Sequence, residues 1–352
     1  MKRLVVALVV MVAAPLFGQE PKTEPKKSDE ASFRVGGMIF ADFTYTAAPT
    51  SLDAEGNAYH PSSFGITRAH INFLGTINRY LSFRVTPDIA RESGGGSTLS
   101  GSQNYRLKFA YAQVNLDRWT TGGSWVRAGL INTPWIEYEE SIYRYRFQGP
   151  TLPDREGLMA VADNGVGVRY VFPGDYGDVN AGIYNGETYT RQEPNDQKSL
   201  QVRLTARPMP KHALLKGWRV TGFVNEDRYA ASRPRRRMII GTTFEHPRAL
   251  AGFDLVRADD QPSADAEVLH ARGYSAWLNP RLGKGWEILL RRDRYRPDRG
   301  DPLTRRRDVA GVAYWLPTGS GTAAALLLDR DSLRTTGAPT LTNYGVKMLI
   351  SF

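Results

Sequence analysis

From Phe33 to the carboxyl end, apolar and polar side chains trade places at nearly every residue. Phe33, Val35, Gly37, Ile39, Ala41, Phe43 and Tyr45 share one parity, opposite Arg34, Gly36, Met38, Asp42 and Thr44. That period of two is the signature of an extended strand with one greasy and one wet face. The last stretch, 340–352, repeats it, with Tyr344, Val346, Met348, Ile350 and Phe352 against Asn343, Gly345, Lys347 and Ser351. Between these ends the pattern predicts strands at 63–75, 81–89, 105–116, 124–133, 163–172, 178–185, 198–208, 217–229, 237–245, 252–258, 268–278, 285–295, 306–316 and 321–332. With the first and last stretches the tally is about sixteen, an even number. In the 105–116 strand the parity switches between Leu107, Phe109, Tyr111 and Val114, Leu116, as a bulge would cause.

The connections alternate as well. Tight turns rich in Pro and Gly follow every second strand, and longer polar segments such as 46–62, 91–104 and 134–162 follow the others. A soluble sandwich has no reason to sort its loops by length, whereas a membrane barrel has two different sides. The fold class this implies is all-β, a transmembrane antiparallel β-barrel spanning 33–352, with short turns facing the periplasm and long loops facing outward. Trp119, Trp125, Trp218, Trp277, Trp286 and Trp315 fall near predicted strand ends, where an interfacial girdle would place them.

The amino end fits export. Residues 1–19 carry Lys2 and Arg3, then an apolar run interrupted by Pro15, and read as a signal peptide. Residues 20–32 are polar and charged and read as a flexible periplasmic leader. The expected location is therefore the outer membrane of a Gram-negative-type envelope. Cysteine is absent, so thiolate metal sites and disulfides are excluded. The 352-residue chain carries a formal charge of +10, but export makes nucleic acid an unsuitable partner. No P-loop, G-x-S-x-G or H-E-x-x-H motif occurs, and none of the five His residues sits in a nucleophile constellation. No catalytic residue, metal site or cofactor is expected.

The order and spacing of several short stretches, Phe64 to Ala69 (FGITRA), Leu107 to Tyr111 (LKFAY), Val126 to Gly129 (VRAG), Pro134, Asp163 to Gly167 (DNGVG) and the final Phe352, resemble the phosphate-selective porins O and P. The resemblance implies a homotrimer of sixteen-stranded barrels whose third outer loop folds inward and narrows the channel. Here that loop is 134–162, and Trp135, Glu137, Tyr138, Glu139, Glu140, Arg144 and Arg146 are the constriction candidates.

Arg34, Arg68, Arg84, Arg127, Arg169, Arg203, Arg219 and Arg291 take the parity opposite the greasy face and should line the lumen with Asp42 and Asp88. Glu245, Glu287 and Asp293 share that parity. A ring of guanidinium groups lowers the entry barrier for anions, and its planar forks suit carboxylate or phosphate. The functional expectation is a porin for small hydrophilic solutes that prefers anions; the alternative is a structural or adhesive barrel with a plugged lumen. In either case these arginines can instead pair with lumen acids and brace the wall. A second basic set, Arg233 and Arg235 to Arg237, then Arg292, Arg294, Arg296, Arg299 and Arg305 to Arg307, lies toward the outer side. Its expected role is to funnel anions or to bind phosphates of outer-membrane lipid.

Overall fold

A computed structural model describes residues 30–91, 101–319 and 321–352. The signal peptide and most of the leader expected at 1–32 lie outside these residues, as does most of the 91–104 connection.

Sixteen antiparallel strands close into one barrel, joined strictly to their neighbours in sequence, with the first pairing the last. They are β1 (Ser32–Ala48), β4 (Ser62–Thr76), β5 (Leu81–Arg91), β6 (Gln103–Asn115), β7 (Trp125–Asn132), β8 (Ala162–Val171), β9 (Gly177–Tyr184) and β10 (Ser199–Ala206). The second half comprises β11 (Trp218–Ala230), β12 (Arg233–His246), β13 (Ala249–Asp260), β14 (Leu269–Gly283), β15 (Trp286–Arg296), β16 (Arg305–Leu316), β17 (Ala323–Thr335) and β18 (Leu341–Ser351). Two short strands, β2 (Ser51–Leu52) and β3 (Ala58–Tyr59), form a hairpin in the first outer connection.

Closure rests on the two alternating ends. Ile39 lies opposite Ile350 and Phe43 opposite Val346. Beyond the strand, Gly37 and Phe352 exchange both backbone hydrogen bonds, at 2.8 and 3.0 Å. A side chain at Gly37 would collide with the Phe352 ring, so glycine here lets the terminal aromatic lie against the wall. Because closure leaves no sheet edge, every strand can satisfy its backbone without water.

The exterior carries the greasy parity. Val35 and Leu328 are each 57% exposed and Leu204 is 51% exposed, so the apolar surface faces outward, as a bilayer demands. Trp286 packs on Tyr314 at 5.0 Å at the short-turn end, and Trp119 stacks on Tyr80. Three tryptophans expected in the girdle do not belong to it: Trp125 and Trp277 are buried on the inner face, and Trp315 packs against the interior apolar cluster.

The parity switch in β6 comes earlier than the side-chain pattern places it, at a bulge on Lys108, so Leu107 faces outward while Phe109 and Tyr111 face inward. Thr86 pairs with Phe109 and Pro87 with Leu107, leaving Lys108 without an opposite number. Pro87 has no N–H to donate, so the ladder loses a rung there at little cost. The extra residue turns Lys108 and Phe109 inward together, and both are buried.

Loop lengths alternate as expected over most of the chain, and the largest inversion is at β11 and β12. β11 and β12 run further out than the pattern suggests and meet in a turn of only two residues, 231–232, while the β10 to β11 connection on the opposite side, 207–217, is long. The arginines of 233–237 continue the strand alternation, so that connection is wall rather than loop.

Arginine at the middle of a lipid-facing strand costs about 2–4 kcal/mol. Val346→Arg should therefore lower stability in urea titrations of the vesicle-reconstituted protein by about that amount, and Val346→Leu should leave it unchanged.

Candidate functional site

The longest connection, 133–161, folds into the barrel. Its ends are tied where the Thr133 N–H donates to the Val161 carbonyl at 3.0 Å and the Thr133 hydroxyl to that of Ala160 at 2.5 Å. Helix α1 (Pro134–Ile142) starts with proline at its first position, where a missing N–H is harmless, and carries Glu137 in its first turn beside the positive end of the dipole. Helix α2 (Leu152–Arg155) is a single turn.

Two apolar clusters hold this loop against the inner wall. Tyr143, Tyr145 and Phe147 pack on Trp277, Leu289, Val309 and Leu327. Trp135, Ile136 and Leu152 pack on Phe223, Ile239 and Val256. A Cβ at Gly241 would run into the Asp254 carboxylate and come within 3.2 Å of the Trp135 indole, so glycine gives room to both. Each fully buried large side chain contributes about 1.5–3 kcal/mol, whereas a partly exposed ion pair contributes about 0–1 kcal/mol. Packing, and not charge, fixes the loop.

That packing decides which constriction candidates face open space. Trp135 is fully buried, and its indole N–H donates to Glu139 at 3.1 Å. Tyr138 hydrogen-bonds Thr243 at 2.9 Å. Arg144 lies 3.4 Å from the Trp315 ring centre and bonds Glu287 at 3.2 Å. Arg146 bridges Glu140 and Asp154 at 2.5 and 2.6 Å. Glu137, Glu140 and Arg146 lie on the side of the loop that faces β4 to β7, while Arg144, still partly exposed, lies on the side of Glu287 and Trp315.

Opposite that face stands a cationic wall built by β4 to β7. Arg127 spans the gap and bonds Glu137 at 2.7 Å, its guanidinium 3.9 Å from the Trp125 ring and 4.8 Å from Tyr111. Arg84 lies 4.4 Å over Phe109 and donates to Asn72 and Thr86 at 2.9 Å. Arg106 rests on Tyr189 and bonds its hydroxyl at 3.0 Å. Asp88 gathers Arg68, His70 and Lys108 at 3.9, 3.1 and 3.4 Å. In this patch Arg68, Arg84, Arg106, Lys108, Arg127 and Arg146 outnumber Asp88, Glu137, Glu140 and Asp154. Burial alone would raise the Glu140 carboxyl, but Arg146, Arg68 and Lys108 outweigh it and hold the group below its ordinary range.

The remaining expected pore residues face inward but are mostly neutralised. Asp42 pairs with Lys347 at 3.3 Å. Arg169 and Arg203 converge on Asp178, Arg219 takes Glu245 at 2.9 Å and Arg291 takes Asp293 at 2.7 Å. Among the described residues Arg34 and Arg84 have no carboxylate partner; Arg34 shares the inner parity near the short-turn end, opposite Leu74. Lys108 and Asp178 escaped sequence reasoning. The bulge hid the first from parity counting, and the second sits at the start of a strand where no pattern marks it. The outer basic set is divided between faces. Arg235 and Arg237 turn inward to Asp227 and Asp260, and Arg305 and Arg307 to Glu156 and Asp331, rather than funnelling anions at the mouth.

The loop separates two water-accessible spaces. One, about 380 Å³, lies on the long-loop side among Asp154, Glu187, Arg191, Asp227 and Arg235. The other, about 490 Å³, lies on the short-turn side among Glu137, Arg169, Asp178, Arg203 and Arg219.

No family model and no curated protein matches the chain. Solved structures do. An anion-selective porin from Comamonas acidovorans aligns at TM-score 0.63 and 12% identity over 92% of this chain and 100% of its own. The outer-membrane channel DcaP of Acinetobacter baumannii aligns at 0.60 and 13% over 94% and 99%. The in-vitro folded trimer form of the Vibrio cholerae outer-membrane protein OmpT aligns at 0.59 and 12% over 92% and 100%. At such identities the likeness establishes the sixteen-stranded porin fold.

Burial pushes the Glu139 carboxyl up to about 7, against the opposing pull of Arg291. A carboxyl that holds its proton longer when folded than when unfolded contributes stability that is lost as pH rises from about 4.5 through about 7. Glu139→Gln removes this penalty. It should raise the melting temperature in detergent at pH 8 and leave it nearly unchanged at pH 4.

Proposed function

We propose that this chain is an outer-membrane channel for passive diffusion of small hydrophilic solutes, preferring anions, and that it assembles as a homotrimer. The observation that carries the reading is the cationic wall of β4 to β7 facing the polar side of an inserted loop, inside a closed barrel. On this reading a solute passes between the loop and the β4 to β7 wall, beside Arg84 and Arg127, whose guanidinium groups lie over the rings of Phe109 and Trp125. Fixed donors in a narrow, partly desolvated passage exchange hydration for charge-assisted hydrogen bonds, which favours carboxylate, phosphate or other small anions over cations. Phosphate is one member of that class, as the likeness of sequence stretches to porins O and P suggests. The anion-selective and trimeric proteins of the same fold support the preference and the assembly.

Two apolar clusters anchor the loop, and they favour a second reading, a structural barrel whose lumen is plugged. Planar-bilayer recordings separate the two. A channel gives stepwise conductance with an anion-signed reversal potential in a salt gradient, and a plug gives no steps. Arg84→Glu should move the anion-to-cation permeability ratio toward cations by about a factor of two or more. Glu137→Gln should move it the other way, by releasing Arg127 from its carboxylate.

A further inference from the structure

The outer face of β13 to β17 breaks the rule that the outward parity is apolar. Arg257 lies directly opposite Arg272, and Arg272 opposite Arg296. One row below, Arg294 lies opposite Arg306, and Arg306 opposite Arg334. Two rows of three like charges therefore stand strand to strand, where directly opposed like charges destabilise a sheet. Between the two rows stands Asp308, which is shared by Arg292 at 2.5 Å and Arg306 at 3.1 Å, and beyond Arg257 on the same face Asp259 pairs with His270 at 2.7 Å. Among the described residues, Arg257, Arg272, Arg294, Arg330 and Arg334 have no side-chain partner, and all five are exposed.

The patch has a defined position. Its residues sit at the long-loop ends of their strands, and directly below it, on the same face, lie the exposed apolar side chains Leu255, Leu290 and Leu328. From Trp286 at the short-turn end to Arg292 is six residues, about 20 Å of strand at 3.3–3.4 Å per residue and less in height because barrel strands tilt. On an apolar band about 25 Å tall the first arginine, Arg292, stands in its upper part, and Arg294 and Arg296 follow toward its border. The leucines belong to the ring of apolar side chains that meets the bilayer, so a ligand on the arginine rows lies next to acyl chains.

We propose that this face is a binding site for a membrane lipid of the outer leaflet bearing more than one phosphate, its phosphates on the two arginine rows and its acyl chains on the leucines. Charge complementarity commits the site to a polyanion, since Asp308 and the His270-bound Asp259 leave most guanidinium forks of the two rows to be neutralised. The inference is independent of whether the lumen conducts.

The test uses the full chain reconstituted in phosphatidylcholine nanodiscs. Binding of a bisphosphorylated lipid A is followed by native mass spectrometry, alongside the same lipid with its phosphates removed, and inorganic phosphate alone. The bisphosphorylated lipid should bind, the dephosphorylated one should bind far more weakly, and inorganic phosphate should not compete at millimolar concentration. The variant R294Q/R306Q/R334Q should weaken binding by roughly fivefold per arginine removed, while R84Q, on the inner face, should bind as the unaltered protein does. Should the triple variant not fold, as judged by heat-modifiable gel mobility, R334Q alone and a salt titration of the unaltered protein give the same reading. Equal binding by the triple variant, equal binding of the dephosphorylated lipid, or effective competition by free phosphate would overturn the proposal. So would a triple variant that changes oligomeric state while keeping its lipid affinity, because the face would then be a contact between copies of the chain.

Discussion

The burial of an aromatic row, Tyr143, Tyr145 and Phe147, against Trp277, Leu289, Val309 and Leu327 is the contact on which the interior depends. It places the loop within the barrel, and it divides the inner wall into a dry half and a wet half. Where the loop covers β12 to β17, the inner face carries apolar side chains such as Ile239, Val256, Trp277, Leu289, Val309 and Leu327 among its ion pairs. On β4 to β7 the inner face keeps its arginines, because the loop turns its polar side toward them. The energy scale supports this order of cause. Several fully buried large side chains outweigh the Arg127–Glu137 pair by far, so the ion pair records where the loop has been put and does not put it there.

Neutralisation is the second constraint. A lumen lined with bare arginines would repel itself, and most of those arginines have found carboxylates: Arg169 and Arg203 share Asp178, Arg219 takes Glu245 and Arg291 takes Asp293. They brace the wall. The charge left for solutes is concentrated where aromatic rings, rather than carboxylates, support the guanidinium groups, at Arg84 over Phe109 and Arg106 over Tyr189. A ring fixes a cation's position without cancelling its charge, whereas a carboxylate does both.

The bulge at Lys108 links strand irregularity to site chemistry. Opposite Pro87, which offers no N–H, the extra residue sends Lys108 beside His70 and Asp88 while Phe109 supplies the floor for Arg84. Parity reasoning revealed that something changes in this strand, but counting alone does not say which residue is supernumerary. The same limit applies to β11 and β12, whose arginines look like a loop and prove to be two strands meeting in a two-residue turn.

The chain by itself determined the closed barrel, its strand number, the pairing of its ends and the direction in which most side chains point. All of these follow from a period of two that every strand must obey if one face meets lipid. It also made the longest connection stand out by its length and aromatic content. Tertiary structure alone decided which inner positions are wet, because an inward parity says only that a residue faces the interior and not whether loop or water fills the space before it. It likewise decided which tryptophans leave the girdle to hold the loop, which arginines are neutralised across strands, and which stand in rows on the outer face. Those pairings depend on register between strands, set by closure and bulges across the whole sheet, and no local pattern encodes them.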